Sequence, residues 1–133
     1  MPQHCILSEG DILLSLTGNV GRVCLVVGED YLLNQRVAKL SSITPAFTYC
    51  LFRSKDMVDE MNNLANGAAQ QNLSPIRTGK IKMLLPSIGI LRKFEKIANQ
   101  YIASIMHLNK TITFTKEARD RLLPKLMSGE LEV

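Results

Sequence analysis

The sequence lacks the features by which membrane-spanning and secreted proteins are usually recognised. It has no uninterrupted apolar run of about 18 residues, the minimum length of a membrane-spanning helix. Its first residues, MPQHCILSEGD, lack the basic region followed by an apolar run that marks a signal peptide. We therefore expect a cytoplasmic protein with no membrane contact.

Cysteine and histidine are also scarce. The three cysteines, Cys5, Cys24 and Cys50, are far apart, and the two histidines, His4 and His107, complete no metal-ligand spacing. An odd number of scattered cysteines favours small buried thiols in a reducing compartment. The sequence predicts no metal site and no bound cofactor.

No catalytic set is recognisable either. There is no Ser/His/Asp or Cys/His arrangement, and both histidines stand in ordinary contexts. Three acids, Asp56, Asp59 and Glu60, occupy positions that match the solvent face of a helix. We therefore expect no catalytic residue in this chain.

Glycine and proline are absent from residues 90–123, and this stretch dominates the chain. Its apolar residues recur in alternating steps of three and four, the spacing of a coiled-coil seam. The seam is Leu91, Phe94, Ala98, Tyr101, Ile105, Leu108 and Ile112. A helix of this length exposes more apolar surface than so small a chain can cover, so we expect a partner helix.

The rest of the chain predicts strands and short helices. Alternating or apolar runs favour strands over residues 12–16, 22–27, 31–33, 37–40 and 80–85, with a hairpin formed by the first two. Thr44-Pro45 starts a helix that ends at Asn66-Gly67, and Ser74-Pro75 starts a very short one. Ser87 is a candidate cap for the long helix, and Pro124 is expected to end it.

The predicted fold class is therefore α+β, with a small mixed β-sheet and short helices followed by a long coiled-coil helix. We divide the chain into a globular part, residues 1–86, a long helix, residues 87–123, and a C-terminal tail, residues 124–133.

Positive charge is concentrated in one part of the sequence. The net charge is only +4, yet residues 77–110 hold seven basic residues and one acid, Glu95. Such a stretch suits a polyanion such as nucleic acid. A solvated helix face explains the same charges equally well.

Three polar clusters offer hydrogen-bonding groups. Gly18-Asn19-Val20-Gly21 precedes a predicted strand, so it does not match the phosphate loops that precede a helix. A hairpin turn or a close approach to a nucleic-acid backbone both account for it. Asn34-Gln35-Arg36 and Gln70-Gln71-Asn72 carry side chains that pair with base edges, although turn and capping roles fit them as well.

Five segments, taken together and in order, resemble the DNA specificity subunit of type I restriction–modification systems. They are GDILLSLTGNVGRVCLV (residues 10–26), LNQRVAKL (33–40), NGAAQQNLSP (66–75), IKMLLPS (81–87) and RLLPKLMSGEL (121–131). Nearly the whole chain is covered. It is similar to the later part of one target-recognition domain and the helix that trails it.

The resemblance implies a non-catalytic protein. In that family two target-recognition domains are joined by two long helices, packed as an antiparallel coiled coil that sets the spacing of a split DNA sequence. Modification subunits dock on the helices and methylate adenine, and a restriction subunit adds translocation and cleavage. This chain departs from the family in having one recognition domain, in beginning where that domain is already under way, and in carrying Ser87-Ile88-Gly89-Ile90-Leu91 where the family has a second proline and an acidic stretch.

We therefore expect a half-subunit or fragment that binds double-stranded DNA and forms a homodimer through the seam. Its partners would be the modification and restriction subunits. The candidates for base contacts are Asn19, Gln35, Gln70, Gln71 and Asn72, and those for phosphate contacts are Arg22, Arg36, Arg77, Lys80 and Lys82. The alternative is an assembly protein that pairs through its helix and has lost DNA binding by truncation.

Overall fold

The computed structural model describes residues 5–28, 31–65 and 72–131. The strands are β1 (Ile6–Leu7), β2 (Ile12–Ser15), β3 (Val23–Leu25), β4 (Tyr31–Leu32) and β5 (Val37–Leu40), and the helices are α1 (Pro45–Phe52), α2 (Lys55–Ala65), α3 (Pro75–Thr78) and α4 (Ile88–Met127). Small sheets and short helices precede one long helix, so the predicted α+β class is confirmed. Within the described residues, no helix combines the length and the apolarity that crossing a bilayer requires.

β2 is the central strand of the larger sheet, and its side chains alternate between the core and a more open face. Ile12 and Leu14 are buried, and the residues that follow each of them are half-buried. The strand order is β3-β2-β5, with Leu14 opposite both Val23 and Ala38. The predicted hairpin of β2 and β3 is confirmed.

Strand direction differs from the prediction. β1 and β4 form a separate two-stranded sheet, and all strand pairs in the described residues are antiparallel, so the expected mixed sheet is wrong. Parallel neighbours need a crossover of about a dozen residues or more, and the link between β2 and β3, which are successive in sequence, is shorter than that. β1 was not predicted because two residues are too few to show an alternating pattern.

The helix expected to begin at Pro45 is interrupted and forms two helices, α1 and α2. The hydroxyl of Ser54 lies between them, where it donates to the Leu51 carbonyl at 2.7 Å and accepts from the Met57 amide at 3.4 Å. One serine thus helps to close one helix and to open the next, as capping side chains do. The predicted cap at Asn66-Gly67 lies outside the described residues.

The core lies where the larger sheet meets α2. It contains apolar side chains from β2, the loop that follows it, both helices and the segment before α3. These are Leu14, Leu16, Val20, Phe52, Met57, Met61, Ala65 and Leu73. The sheet and α2 therefore form one packed body.

The strand predicted over residues 80–85 is wrong. The segment between α3 and α4 is irregular, and its side chains beyond Ile81 are largely exposed, Leu84 by 96%. Ile81 packs against the core and so anchors one end of the segment. A strand needs a neighbour for its backbone groups, and no described strand pairs with this segment.

α4 spans 40 residues, or roughly 60 Å, and passes through Pro124 to Met127. The predicted end at Pro124 is therefore wrong. Proline removes one backbone donor, but the helix is terminated by Gly129, whose φ of 73° is left-handed. The Gly129 amide donates to the Leu126 carbonyl, and the Glu130 amide donates to the Lys125 carbonyl, which is a Schellman cap.

α4 packs on the body along one face that contains only two residues of the predicted seam, Leu91 and Ala98. Leu91 and Met106 are buried, and Ala98 and Ile102 are half-buried between them. Farther along, Lys110 pairs with Glu9 at 2.5 Å. All residues from Thr111 to Leu131 are exposed. The first half of α4 is thus docked on the body, whereas the second half projects from it.

Glu95 joins α4 to α1. Its two carboxylate oxygens accept hydrogen bonds from the backbone amides of Ala46, at 2.8 Å, and Phe47, at 3.0 Å. α1 has no side-chain hydrogen bond from its own cap residue, Thr44, and no acid in its first turn. Glu95 therefore supplies from α4 the negative charge and the acceptors that the start of α1 lacks. Next to it, Phe94 meets Phe47 edge to face, with ring centroids 5.9 Å apart.

Removing this cap should destabilise the fold. Glu95→Ala should lower the free energy of unfolding by about 1 to 2 kcal/mol, because a helix cap contributes about that much. Glu95→Gln keeps one accepting oxygen and should lose less. Urea denaturation followed by circular dichroism measures the difference.

Glu117→Ala is the matched control, because Glu117 is exposed on the projecting half of the same helix. It should change stability by less than about 0.5 kcal/mol. Equal losses for the Glu95→Ala and Glu117→Ala variants would show that the cap does not stabilise the fold.

Candidate nucleic-acid interface

One end of the larger sheet gathers three segments that are distant in sequence. The amide of Leu16 donates to the Arg36 carbonyl at 2.9 Å, and the carbonyl of Leu16 accepts from the Leu73 amide at 2.8 Å. Thr17 forms an isolated antiparallel bridge with Asn72. The loop after β2, the turn before β5 and the segment before α3 therefore meet around Leu16.

The loop after β2 is a tight hairpin turn. Gly18 and Gly21 have left-handed φ values of 72° and 79°, and the Gly21 amide donates to the Ser15 carbonyl at 3.0 Å. Val20 is buried in the core, whereas Asn19 is exposed at the tip. The hairpin interpretation is confirmed, and it leaves the Asn19 amide in solvent, where it could contact a ligand.

The turn before β5 exposes two more candidates. The Asn34 side chain accepts a hydrogen bond from the Arg36 amide at 3.0 Å, so its oxygen is engaged in the turn itself. Gln35 and Arg36 are exposed, as is Arg22 at the base of the hairpin. Asn72 is exposed beside Thr17. Gln70 and Gln71 lie outside the described residues.

The remaining basic candidates form a second group. Arg77, Lys80 and Lys82 line an open hollow of about 550 Å³ together with Leu64 and Glu60. Glu60 is the residue that sequence reasoning missed here. It was placed correctly on a solvent face, but nothing in the spacing indicated that α3 would face it. Its carboxylate reduces the positive potential of the hollow.

The five predicted phosphate contacts therefore divide between two surfaces. Arg22 and Arg36 lie near the sheet end, and the other three line the hollow. Lys39, on β5, is paired with Asp11 at 2.6 Å, and its charge is largely neutralised. In the described residues no group of three histidine, cysteine or acidic side chains has the geometry to hold a metal ion.

The predicted seam residues also divide into two groups. Leu91 is buried and Ala98 half-buried against the chain's own body, whereas the others remain exposed, Tyr101 by 68% and Ile105 by 47%. We call the exposed set the α4 stripe. It comprises Phe94, Tyr101, Ile105, Leu108 and Ile112.

The solvent exposure of the cysteines differs from the prediction. Cys24 and Cys50 are exposed free thiols, and Cys5 is half-buried, so buried thiols were wrongly predicted. Cys24 lies opposite Leu13 on β2, which faces away from the core. Alternation along the strand thus places this thiol outside, which its apolar neighbours did not indicate.

A curated protein is similar to part of this sequence. The chain is 32% identical over 87 residues to the type I restriction enzyme MjaIX specificity subunit of Methanocaldococcus jannaschii, a match that covers 65% of this chain. The chain is thus similar to a type I restriction specificity subunit. It spans 20% of the length of that relative, and no protein-family model matches it. The resemblance seen in the five sequence segments is confirmed.

The two glycines of the hairpin provide a matched test of its geometry. Gly18→Ala should cost about 1 kcal/mol, because its φ is left-handed but the space around it is open. Gly21→Ala should cost at least about 1 kcal/mol more, since its new Cβ would lie 3.3 Å from the Cβ of buried Met61. Thermal unfolding of both variants measures the difference, and equal losses would contradict the close packing of this loop on α2.

Proposed function

We propose that the chain recognises double-stranded DNA as the specificity component, a half-subunit or a fragment, of a type I restriction–modification complex. The observation that supports this most is its similarity to a type I restriction enzyme specificity subunit. In this role the chain has no catalytic site and needs no cofactor. It works in the cytoplasm and positions the modification and restriction subunits on DNA.

The sheet end is the surface that we propose for base contacts. Its side chains are Asn19, Gln35 and Asn72, with Gln70 and Gln71 next to Asn72 in sequence. Amide side chains pair with adenine in the major groove. The three described residues are exposed on segments held together by the backbone bonds of Leu16. Exposed amide side chains on segments that are hydrogen-bonded to one another suit sequence recognition, because contacts with DNA bases need accurate placement.

Phosphate contacts are proposed for both basic surfaces. Arg22 and Arg36 flank the sheet end, and Arg77, Lys80 and Lys82 stand beside Glu60 in the hollow. Cations that neutralise phosphates raise affinity for all sequences and make binding dependent on salt. Residues 1–86 would then form the DNA-binding part, residues 87–123 the spacer, and residues 124–133 a tail.

Arg77→Ala tests the phosphate role. Binding to all duplexes should weaken by a similar factor, because a phosphate contact carries no sequence information. The slope of log affinity against log salt should fall by about one. Gel shifts at several salt concentrations measure both quantities on random and defined duplexes.

Lys116→Ala is the matched control, since Lys116 is an exposed cation on the projecting half of α4. It should leave the affinity unchanged. A loss confined to one DNA sequence in the Arg77→Ala variant would instead assign a base contact to Arg77.

We also propose a homodimer held by the α4 stripe. Five large apolar or aromatic side chains at seam spacing are exposed, which is unusual for a monomer. A second copy offers the same stripe, so a twofold pair would be self-complementary.

Ile105→Asp should break this dimer, because it places a charge in the middle of the stripe. The body should stay folded, since Ile105 does not contact the core cluster. Sedimentation should show a monomer, and circular dichroism should show unchanged helix. Ala103 is exposed on the side of α4 opposite the stripe. The Ala103→Asp variant should therefore stay dimeric. If the Ile105→Asp variant remains a dimer, the stripe is not the interface.

An assembly protein without DNA affinity is the second candidate. The stripe supports it independently of any DNA contact, and Glu60 weakens the charge of the hollow. A gel shift on random duplex at low salt separates the two. A dimer that gives no shift supports assembly alone, and a salt-sensitive shift supports DNA recognition.

A further inference from the structure

A third face of α4 belongs neither to the contact with the body nor to the α4 stripe. At about 100° per residue, its centre is turned by more than about 100° from the centres of both. All of its residues are exposed, and none has a large apolar side chain. We call it the basic face, and it comprises Arg92, Lys93, Lys96, Gln100, Ala103 and His107.

The cations of the basic face lack a neutralising neighbour. Arg92, Lys93 and Lys96 fall within about 6 Å along the helix axis, and none of them forms an ion pair within the part of the chain that the structure describes. Glu95, the only acid in residues 77–110, has both carboxylate oxygens on the start of α1 instead. The capping role of Glu95 thus leaves three positive charges side by side.

This placement of charge works against folding. Arg92 and Lys96 are four residues apart, a spacing at which like charges on a helix repel each other. They also follow a first turn that contains no acid, whereas cations are favourable near the opposite, C-terminal end of a helix. Other cations of α4 contact a carboxylate, namely Lys110, Arg119 and Lys125. Since nothing within the described chain offsets the charge of the basic face, its neutralising partner should come from outside.

The composition of the basic face indicates the chemistry of that partner. Protein interfaces are centred on aromatic and other large side chains in well-packed pockets, and the basic face has no aromatic or large apolar side chain. Arginine, lysine and amide side chains are the usual contacts of phosphate oxygens in nucleic acids. Gln100, one turn after Lys96, adds such an amide to the three cations. The basic face therefore suits a phosphate backbone better than a protein surface.

One duplex is long enough to reach both the basic face and the hollow at α3. Lys82 lines the hollow, α4 begins at Ile88, and Arg92 lies about one turn farther along. Even a fully extended link places the Cα atoms of Lys82 and Arg92 no more than about 28 Å apart. This distance is the length of about eight base pairs at a rise of about 3.4 Å each.

We propose that the basic face binds the phosphate backbone of the duplex, so that α4 holds DNA directly in addition to acting as a spacer. The inference rests on the DNA recognition proposed above and adds a contact surface to it. Arg92 and Lys96 neutralise phosphates beyond those contacted at the hollow. Because phosphate contacts fix orientation without reading sequence, this surface orients α4 on every target in the same way.

Salt-dependent DNA binding by the full chain tests the proposal. The double variant Arg92→Gln, Lys96→Gln removes two cations from the basic face. The matched control, Lys116→Gln with Arg121→Gln, lowers the net charge equally on the exposed, projecting half of α4. A third variant, Arg92→Lys with Lys96→Arg, keeps both charges. Fluorescence anisotropy measures affinity for random and defined duplexes at several salt concentrations, and circular dichroism and sedimentation measure helix content and oligomeric state.

The Arg92→Gln, Lys96→Gln variant should show a slope of log affinity against log salt that is smaller by nearly two, since each phosphate contact contributes about 0.9. Its affinity should fall roughly tenfold on every duplex. Helix content and oligomeric state should not change. The control and the charge-keeping variant should both retain the wild-type slope.

Equal losses in the two charge-removing variants would show an effect of net charge alone and overturn the proposal. A wild-type slope in the Arg92→Gln, Lys96→Gln variant would also overturn it, while the DNA recognition proposed above would stand. Absence of salt-sensitive binding in the wild-type chain would refute that recognition and the basic face with it. A loss confined to one sequence, or one that accompanies a change of oligomeric state, would contradict a phosphate contact by this face.

Discussion

The contact between Glu95 and the start of α1 is the constraint on which the arrangement of this molecule depends. α1 has eight residues, too few for a stable helix in isolation, and the side chain of its N-cap residue, Thr44, caps none of its amides. A carboxylate 49 positions later in the sequence accepts from two of its amides. The long helix and the globular body therefore stabilise each other.

That contact also decides which face of α4 is left for partners. With Glu95 directed at α1, Leu91 and Met106 turn toward the body, and the α4 stripe lies on a neighbouring face that stays exposed, with Phe94 at its edge against Phe47. The ion pair of Lys110 with Glu9 holds the same orientation farther along. A helix rotated by one residue, about 100°, could bury the stripe only by exposing Leu91 and Met106. A single cap thus separates an inner face, used for folding, from an outer face that we propose for pairing.

Local signals in the sequence were reliable where the interaction that they predict is local. The hairpin of β2 and β3 follows from its turn residues, and α1 and α3 begin at Pro45 and Pro75 as predicted, although neither Thr44 nor Ser74 makes the expected side-chain cap bond. Predicted helix boundaries were wrong where another residue had the stronger effect on the helix end. Pro124 was expected to end α4, but the loss of one donor near the last turn was tolerated until Gly129 closed the helix. Ser54 was overlooked because the apolar spacing runs on through it.

The amino-acid pattern alone established the α+β class, the long amphipathic helix and the resemblance to specificity subunits, because composition, periodicity and motif order are properties of the chain. Tertiary packing decided which distant residues meet, and the spacing of residues in the sequence does not contain that information. It assembled three distant segments around the backbone of Leu16 and set Glu60 beside Arg77. It also took Leu91 and Ala98 out of the seam, because burial depends on which surface a helix meets, and heptad spacing is the same for a neighbour within the chain and for a second molecule.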